Sequence, residues 1–345
     1  MNIFDILDLI LLLITLSNIF IVKTIRIKNS SNNFNFDILV PLRNEERNVR
    51  SLMQSLLSQG GNILVLNDQS SDGTTKELEH FENEIQIFNG KDLPKGWLGK
   101  NFACHQLAIQ SKAKYLVFID ADVRLKKGAI SNSIEFLEKN GWDFISPYPR
   151  QKTSSLLQFL IQPLLQWSWF ATIPFAFAYK RPNRSMAVAN GQFFIIRRDA
   201  YLQSGGHKSI KGEVLDDIEL ARALISHGFK GGPVDGSQIA DCHMYQSDQD
   251  LISGYTKSLW RAFGSPLGSL IAIAFIFATL LPFYFLTAGA IFVLLSRFVV
   301  SLKVKSNPLS SILHPFSMAI LILLIGASHS KHRFGRLSWR GRIIN

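Results

Sequence analysis

The run Leu267–Leu302 carries a single charged side chain, Arg297. A stretch this long and this apolar belongs in lipid or deep in a core. A second apolar run, Ser311–Ala327, follows it, and the chain then ends in a basic tail containing Lys331, Arg333, Arg336, Arg340 and Arg342. The N-terminus repeats the pattern. Ile3–Val22 is almost wholly apolar, with Asp5 and Asp8 near its start, so its uninterrupted part is Leu9–Val22. No small-residue cleavage site follows; Lys23, Arg26 and Lys28 follow instead. That is the pattern of an uncleaved anchor with its basic flank in the cytoplasm. A buried core helix is the competing reading. The basic tail belongs on the same side, which requires an even number of C-terminal crossings. Two are expected, with Pro282 kinking or turning the long run and with Lys303 and Lys305 outside.

The ends explain the composition. The chain has 345 residues, of which 47% are hydrophobic and 18% charged, with a formal net charge of +11. Many of the cations flank apolar spans, where they meet anionic headgroups. No zinc-finger, homeodomain or RNA-binding signature accompanies them, so no nucleic-acid partner is expected. Cys104 and Cys242 are far apart and outside any CxxC, as free thiols of a reducing compartment are.

Between the ends lie about 230 residues, enough for one substantial core. After the polar linker "IKNSSNNFN", strand and helix patterns alternate. "DILVPL" (37–42), "NILVLND" (62–68), "IQIF" (85–88) and "KYLVFID" (114–120) read as strands. "NEERNVRSLMQSLLSQG" reads as a helix burying Val49, Leu52, Met53, Leu56 and Leu57 and ended by Gly60. "SSDGTTKELEHFE" reads as a turn and a helix, with Ser71 or Asp72 as N-cap. Residues 100–112 are expected to be helical. The alternation implies an α/β fold with a mainly parallel sheet and helices on both faces.

In such sheets ligands gather at the carboxyl ends of strands. The polar clusters sit there: "RNEE", "NDQSSDGT" and "DAD". Asp120 and Asp122 together suit a hard divalent cation that also binds diphosphate oxygens and stabilises charge on a departing nucleotide diphosphate. An acidic strand end capping its own turn is the alternative.

The series "VPLRNEE", "LNDQSSDGT", "GKNFA" and "FIDADV" resembles the family 2 glycosyltransferases of the GT-A fold, over roughly residues 36–262. The resemblance implies that the first strand end, with Pro41 and Glu45, and Asp68 contact the nucleotide, with Asp72 in the same loop. It implies that Lys100 lies near the nucleotide pocket, and that Asp120 and Asp122 bind ribose, diphosphate and a metal, Mg2+ or Mn2+. Asn67 stands where many relatives have an aspartate. Inverting transfer to a hydroxyl needs a carboxylate to take the acceptor proton. "GEVLDDIELARALISHGFK" offers Asp217 as that base, with Asp216 on the acceptor side. The alternative makes Asp216 an N-cap and Asp217 a favourable first-turn charge. Gly191, Gln192 and His207 border the acceptor side in similar enzymes; His207 reads equally well as a structural hydrogen-bonder. His243 is a candidate diphosphate contact. Trp260 and Arg261 stand in reversed order relative to the Arg-Trp motif of membrane-bound relatives, which argues against a processive polysaccharide synthase.

The segment 155–179 is long, apolar and aromatic. A crossing there would part Asp122 from Asp217, so broken helices in the membrane interface are expected, broken at Pro163 and Pro174, with Trp167, Trp169 and Tyr179 at headgroup depth. An ordinary buried core segment is the alternative. The expected plan is an anchor at 1–28, a GT-A catalytic domain at 35–265, C-terminal transmembrane helices at 266–328 and a cytoplasmic tail at 329–345. "GWLGKNFACHQLA", "GGH" and "CHMY…GYTKSLW" resemble bacterial glycosyltransferases of the carotenoid (diaponeurosporenoate) and hopanoid type, and ceramide glucosyltransferases share the layout. The resemblance implies an integral membrane enzyme with a cytoplasmic site, moving a sugar from a nucleotide-diphosphate donor, UDP above all, to a lipid. A polyprenyl-phosphate sugar transferase and an inactive membrane scaffold are the competing functions.

Overall fold

The computed structural model describes residues 2–28, 32–335, 338–339 and 342–343. Residues 29–31 of the polar linker, and Arg336 and Arg340 of the tail, lie outside them. The chain divides into two compact units. A sheet unit comprises Lys23–Arg150 and Phe177–Cys242; a helical unit comprises Met1–Val22, Gln151–Ala176 and His243–Asn345. The α/β unit therefore ends at Cys242 rather than at the expected 265, and the helix Asp248–Ala262 belongs to the helical unit.

The strands are β1 (Phe36–Leu42), β2 (Asn62–Asn67), β3 (Gln86–Asn89), β4 (Tyr115–Ile119), β5 (Val123–Leu125), β6 (Phe144–Tyr148), β7 (Arg150–Gln151), β8 (Phe193–Arg197), β9 (Gly231–Asp235) and β10 (Ala240–Cys242), with a two-residue pair, β11 (Ser338–Trp339) and β12 (Arg342–Ile343), near the C-terminus. Seven of them form one sheet in the order β3-β2-β1-β4-β8-β6-β9. β1 pairs in parallel with β2 and β4, and β6 with β9, while β8 runs antiparallel to β4 and β6. β1 and β4 are apolar nearly without interruption because both faces are covered. The helix Glu46–Leu57 seals Val49, Leu52, Met53 and Leu56 on one face, as its periodicity predicts, but Leu57, expected on that face, ends the helix exposed. A small sheet, β5-β10-β7, sets Cys242 opposite Val123.

Two helix starts differ from expectation. The helix Thr74–Glu79 follows Gly73, and Asp72, one residue further out, accepts the Thr74 N–H (3.0 Å). The helix Asp216–Ser226 begins at Asp216 itself; Leu215 stands at the N-cap with no side-chain cap bond. Both acids thus lie inside the first turn, where the helix N-terminus favours negative charge.

In the helical unit polarity is inverted. The helix Ile3–Ile21 buries Asp5, Asp8, Thr15 and Asn18, and leaves Ile3, Ile6, Leu13 and Phe20 exposed. The helix Leu156–Thr172 runs straight through Pro163; the chain breaks only at Pro174, before Phe175–Lys180. Asn18 mends that break. Its amide donates to Phe170 O (2.8 Å) and Ile173 O (2.7 Å), and its Oδ1 accepts the Phe175 N–H (3.2 Å). Trp167 and Trp169 are buried rather than presented at headgroup depth, and the Trp167 indole N–H donates to Ser296 Oγ (2.8 Å). Tyr179, in the sheet unit, donates its hydroxyl to Pro233 O (2.6 Å). Leu267–Leu302 is not one span: Pro266–Tyr284 contains Pro282, the turn comes after it with Leu286 at positive φ, and Ala288–Lys303 follows. His314–Arg333 is the last helix among the described residues.

Candidate active site

The loops after β1 and β2 are tied to each other by hydrogen bonds. Glu45 N–H donates to Thr74 Oγ1 (2.8 Å), Asn44 N–H to Ser70 Oγ (3.0 Å), and Ser71 N–H to Asn44 Oδ1 (2.8 Å). The Arg43 guanidinium donates to Asp68 O (2.6 Å). Asn44 and Gln69 hold positive φ, a left-handed conformation that asparagine tolerates well and glutamine rarely adopts. Asn67 serves the loop twice, donating to Thr75 Oγ1 and accepting from Ser70 N–H, which an amide does with one side chain. Asp68 is buried; a Cβ on Gly90 would lie 3.0 Å from its Cα and 3.1 Å from its carboxylate, so glycine is what lets the two backbones approach without a shift. Burial raises the Asp72 carboxyl, but hydrogen bonds from Thr74 and from Glu46 N–H outweigh it and hold the group below its ordinary value.

At the end of β4, Asp120 N–H donates to Gln192 O (3.0 Å), and the chain turns at once, Val123 N–H returning to Asp120 O (3.2 Å). Arg124 pins this turn, donating to Ala121 O and Val123 O (2.8 Å each). Lys100, in the first turn of the helix Gly99–Gln110, reaches Asp120 Oδ2 at 2.9 Å and Asp216 Oδ2 at 3.3 Å. One ammonium thus joins the end of a strand to the start of a helix far along the chain, from Asp120 to Asp216. Asp217 is aimed by its backbone neighbours: Gly191 N–H donates to Oδ2 (2.9 Å) and Ile218 N–H to Oδ1 (2.8 Å). A side chain at Gly191 would be tight, since a Cβ would lie 3.2 Å from Asp217 Cβ and 3.3 Å from Lys100 Nζ, and both would have to shift.

Pro41, Lys100, Asp120, Gly191, Asp216 and Asp217 line one cleft, with His207 and Cys104 also in its wall. Burial pushes the Asp217 carboxyl up to about 6, helped by the charge of Asp216 and opposed by Lys100 and the two N–H donors. Asp120 is raised in the same way by burial and by its acidic neighbours, against Lys100. Burial alone would favour neutral Lys100, but Asp120 and Asp216 on either side hold it charged. The pairs keep roughly a fifth of their side-chain surface open, 24% for Lys100, 26% for Asp120 and 17% for Asp216. Solvent therefore screens them, and they are poised for a ligand rather than sealed.

Asp122 Oδ1 is buried with no hydrogen-bond partner among the described residues. The Cys242 thiol lies close enough to Asp122 that burial and the Asp122 charge together keep it protonated. No spacing in the sequence foretells that contact; the pairing of β10 with β5 creates it. His207 is 3% exposed, its ring on Tyr201 OH (3.0 Å) and edge-on to Phe118, and burial pushes it down to about 3. It is a neutral structural hydrogen-bonder in the cleft wall. Gln192 is buried behind Asp120, its N–H donating to Asn190 Oδ1. His243 and Trp260 belong to the helical unit, where Trp260 stacks on His332 with ring centroids 3.6 Å apart.

A β3-β2-β1-β4 parallel half-sheet with acids at the carboxyl ends of its strands defines a nucleotide-sugar-binding α/β domain of the GT-A class. Residues 37–204 match the family model described as glycosyl transferase family 2. The chain thus carries a family 2 glycosyltransferase domain and is a glycosyltransferase. It is 24% identical over 348 aligned positions to a 4,4'-diaponeurosporenoate glycosyltransferase of Staphylococcus aureus, covering 92% of this chain and 91% of that one. Among solved structures it is similar to a mannosyltransferase from Pyrobaculum calidifontis in complex with GDP-Man and Mn2+. That likeness has a TM-score of 0.56 at 12% identity, over 96% of this chain and 99% of the other, and bears on the fold.

Proposed function

We propose that this glycosyltransferase moves a hexose, with inversion, from UDP to a hydroxyl of a membrane lipid at the cytoplasmic face. The observation that carries the reading is the presence of Asp217, the acceptor-side acid, in one cleft with Asp120, the donor-side acid, where Lys100 pairs with Asp120 and with Asp216, the residue next to Asp217. In the transfer, the acceptor oxygen bonds to the anomeric carbon as that carbon's bond to the β-phosphate oxygen breaks. The electron pair leaves with the nucleoside diphosphate, and the hydroxyl proton passes to Asp217. Both Asp217 oxygens already accept one N–H each and keep a lone pair for that proton. A carboxyl raised to about 6 is ionised at neutral pH yet basic enough to serve. Lys100 supplies positive charge where the diphosphate departs.

The acids also fit a divalent cation, Mg2+ or Mn2+. Asp122 offers a buried, unpartnered oxygen, and Asp120 stands two residues away. No group of three or more His, Cys, Asp or Glu side chains forms a cage among the described residues. Diphosphate oxygens and water would complete the shell, as they do for Mg2+. When bound, the cation neutralises charge on the leaving diphosphate.

The lipid acceptor and the membrane setting rest on the helical unit. Ile3–Ile21 and Pro266–Tyr284 are long and apolar enough to cross a bilayer, with mean hydropathies of 2.2 and 2.1. The first turns its polar side chains inward and its isoleucines and leucines outward, the arrangement suited to lipid. Ala288–Lys303, at roughly 24 Å, is shorter than the ~30 Å hydrocarbon core.

The relative named for diaponeurosporenoate supports a second reading, in which the acceptor is a lipid carboxylate that arrives ionised. A polyprenyl phosphate would do the same. Asp217 then positions the acceptor and takes no proton. Incubating the membrane-embedded protein with UDP- and GDP-hexoses and a lipid extract, followed by mass spectrometry, tests the proposal. A hexosylated lipid formed only with a UDP donor and divalent cation supports it, and transfer confined to a water-soluble acceptor refutes it.

A further inference from the structure

We infer that the helical unit binds the anionic group of a lipid, a phosphate or a carboxylate, at Arg297. The inference rests on the membrane reading above. Arg297 lies midway along Ala288–Lys303 and is 3% exposed. Its Nη1–H faces His314 Nδ1 at 3.3 Å. Arginine only donates, so that ring nitrogen accepts and carries no proton. The ring proton then sits on Nε2, 3.3 Å from Thr279 Oγ1, whose hydroxyl donates onward to Ile276 O (2.8 Å). His314 is therefore a neutral neighbour and leaves the guanidinium charge unbalanced.

The acids of the same unit do not balance it either. Asp5 accepts from Thr287 Oγ1 and from Gly289 N–H, Asp248 from Ser155 Oγ and Asp250 from Ser247 Oγ, and both oxygens of buried Asp8 have no hydrogen-bond partner among the described residues, so none of these acids is spent on Arg297. Arg297 Nη2 is itself buried and unpartnered among the described residues. Trp167 and Phe283 pack against the His314 ring at 5.6 and 5.4 Å, and the Trp167 N–H is already given to Ser296.

An unpaired guanidinium among apolar helices is costly, and ionisable groups kept at that depth mark ligand sites. The planar guanidinium is the group best shaped for a phosphate or carboxylate oxygen pair. The ligand is read as a lipid rather than a free ion because of the rest of that helix. Ile291, Leu295, Phe298 and Leu302 are exposed on the side of it turned away from Arg297, so on the membrane reading the helix stands in hydrocarbon, which a lipid anion shares and a hydrated ion does not.

The test uses the full chain in phosphatidylcholine nanodiscs doped with phosphatidylglycerol or oleate, with inorganic phosphate as a third probe. Retained ligand is counted by native mass spectrometry. The wild type is expected to keep one anionic lipid at least tenfold more often than phosphatidylcholine. Arg297→Gln loses that preference, Arg297→Lys keeps part of it, and inorganic phosphate is not retained. Thermal unfolding in lipid-free detergent gives a second readout that does not need a folded-state ligand count. There Arg297→Gln unfolds at a higher temperature than the wild type, and added phosphatidylglycerol raises only the wild type. Equal retention by wild type and Arg297→Gln, or no preference for the anionic lipid, overturns the inference. Retention of inorganic phosphate at the same level overturns the lipid assignment. Alkaline carbonate extraction separates the two levels: release of the protein from membranes defeats the membrane reading itself, whereas an embedded protein without anion preference defeats only this inference.

Discussion

In the sheet unit Ile38, Leu39 and Val40 are sealed from solvent, and the acids gather where the strands run out. In the helical unit Asp8, Thr15 and Asn18 are sealed, and Ile3, Leu13 and Phe20 face outward. The same chain thus follows two opposite burial rules. The first is the arrangement water imposes, because apolar surface is driven inward and charge survives only at an edge with partners. The second suits a hydrocarbon surround, where outward apolar side chains lose nothing and polar side chains turn inward; Thr15 and Asn18 find partners there, while Asp8 has none among the described residues. The contrast bears on function. A donor that is charged and water-soluble fits the unit whose polar edge is open, and an acceptor that is apolar fits the unit whose outside is oily.

The largest expected effect lies at the open edge. Asp122→Ala is expected to lower hexosyl transfer by on the order of a thousandfold, the size seen when one preorganised electrostatic group is lost. The fold should stay intact by circular dichroism. Normal turnover in that variant would remove the cation from the donor side of the account.

A matched pair of substitutions tests the burial rules. Leu13 is 57% exposed on the helix Ile3–Ile21, and Ile109 is 56% exposed on the helix Gly99–Gln110. On exposure alone they are equivalent. Leu13→Asp is expected to cost about 3 kcal/mol of membrane insertion, the figure for aspartate at the centre of a span, and to release protein from the membrane fraction. Ile109→Asp should stay within about 0.5 kcal/mol of wild type in unfolding. Equal effects would mean that both units face the same solvent.

A smaller effect is expected at the mended break. Asn18→Ala removes two donated bonds and one accepted bond around Pro174, for about 1–2 kcal/mol, since such bonds average well under 1 kcal/mol each in membrane helices. Detergent-resistance or thermal-shift measurements would read it. No loss would place the stability of Leu156–Thr172 and Phe175–Lys180 in apolar packing alone.

What the sequence made legible follows period and position. β1, β2 and β4, the buried face of Glu46–Leu57, and the acids at strand ends could be read because each depends on neighbours within a few residues. Lys100 could be placed near the nucleotide by resemblance. Its bridge to Asp120 and Asp216 could not, because it depends on where a helix and a strand distant in sequence meet. The pairing of Cys242 with Asp122 depends on the register of β5 and β10, which no local pattern encodes. Pro163 looked like a helix breaker and was not; Pro174 was, and Asn18 rather than solvent satisfies the freed groups. The tryptophans of that segment looked interfacial because aromatic composition does not say which side a helix turns inward.

The most direct test of the converging cleft is Asp217→Asn in the reconstituted enzyme, followed from pH 5 to 8 with UDP binding measured alongside. A base raised to about 6 is ionised above that pH and lost below it, so wild-type kcat/KM should fall as the pH drops through about 6. The variant is expected to bind UDP as the wild type does, to lose 10²- to 10⁴-fold in transfer, and to lose that acid limb. Undiminished transfer with an unchanged pH profile would contradict the assignment of Asp217 as the proton acceptor.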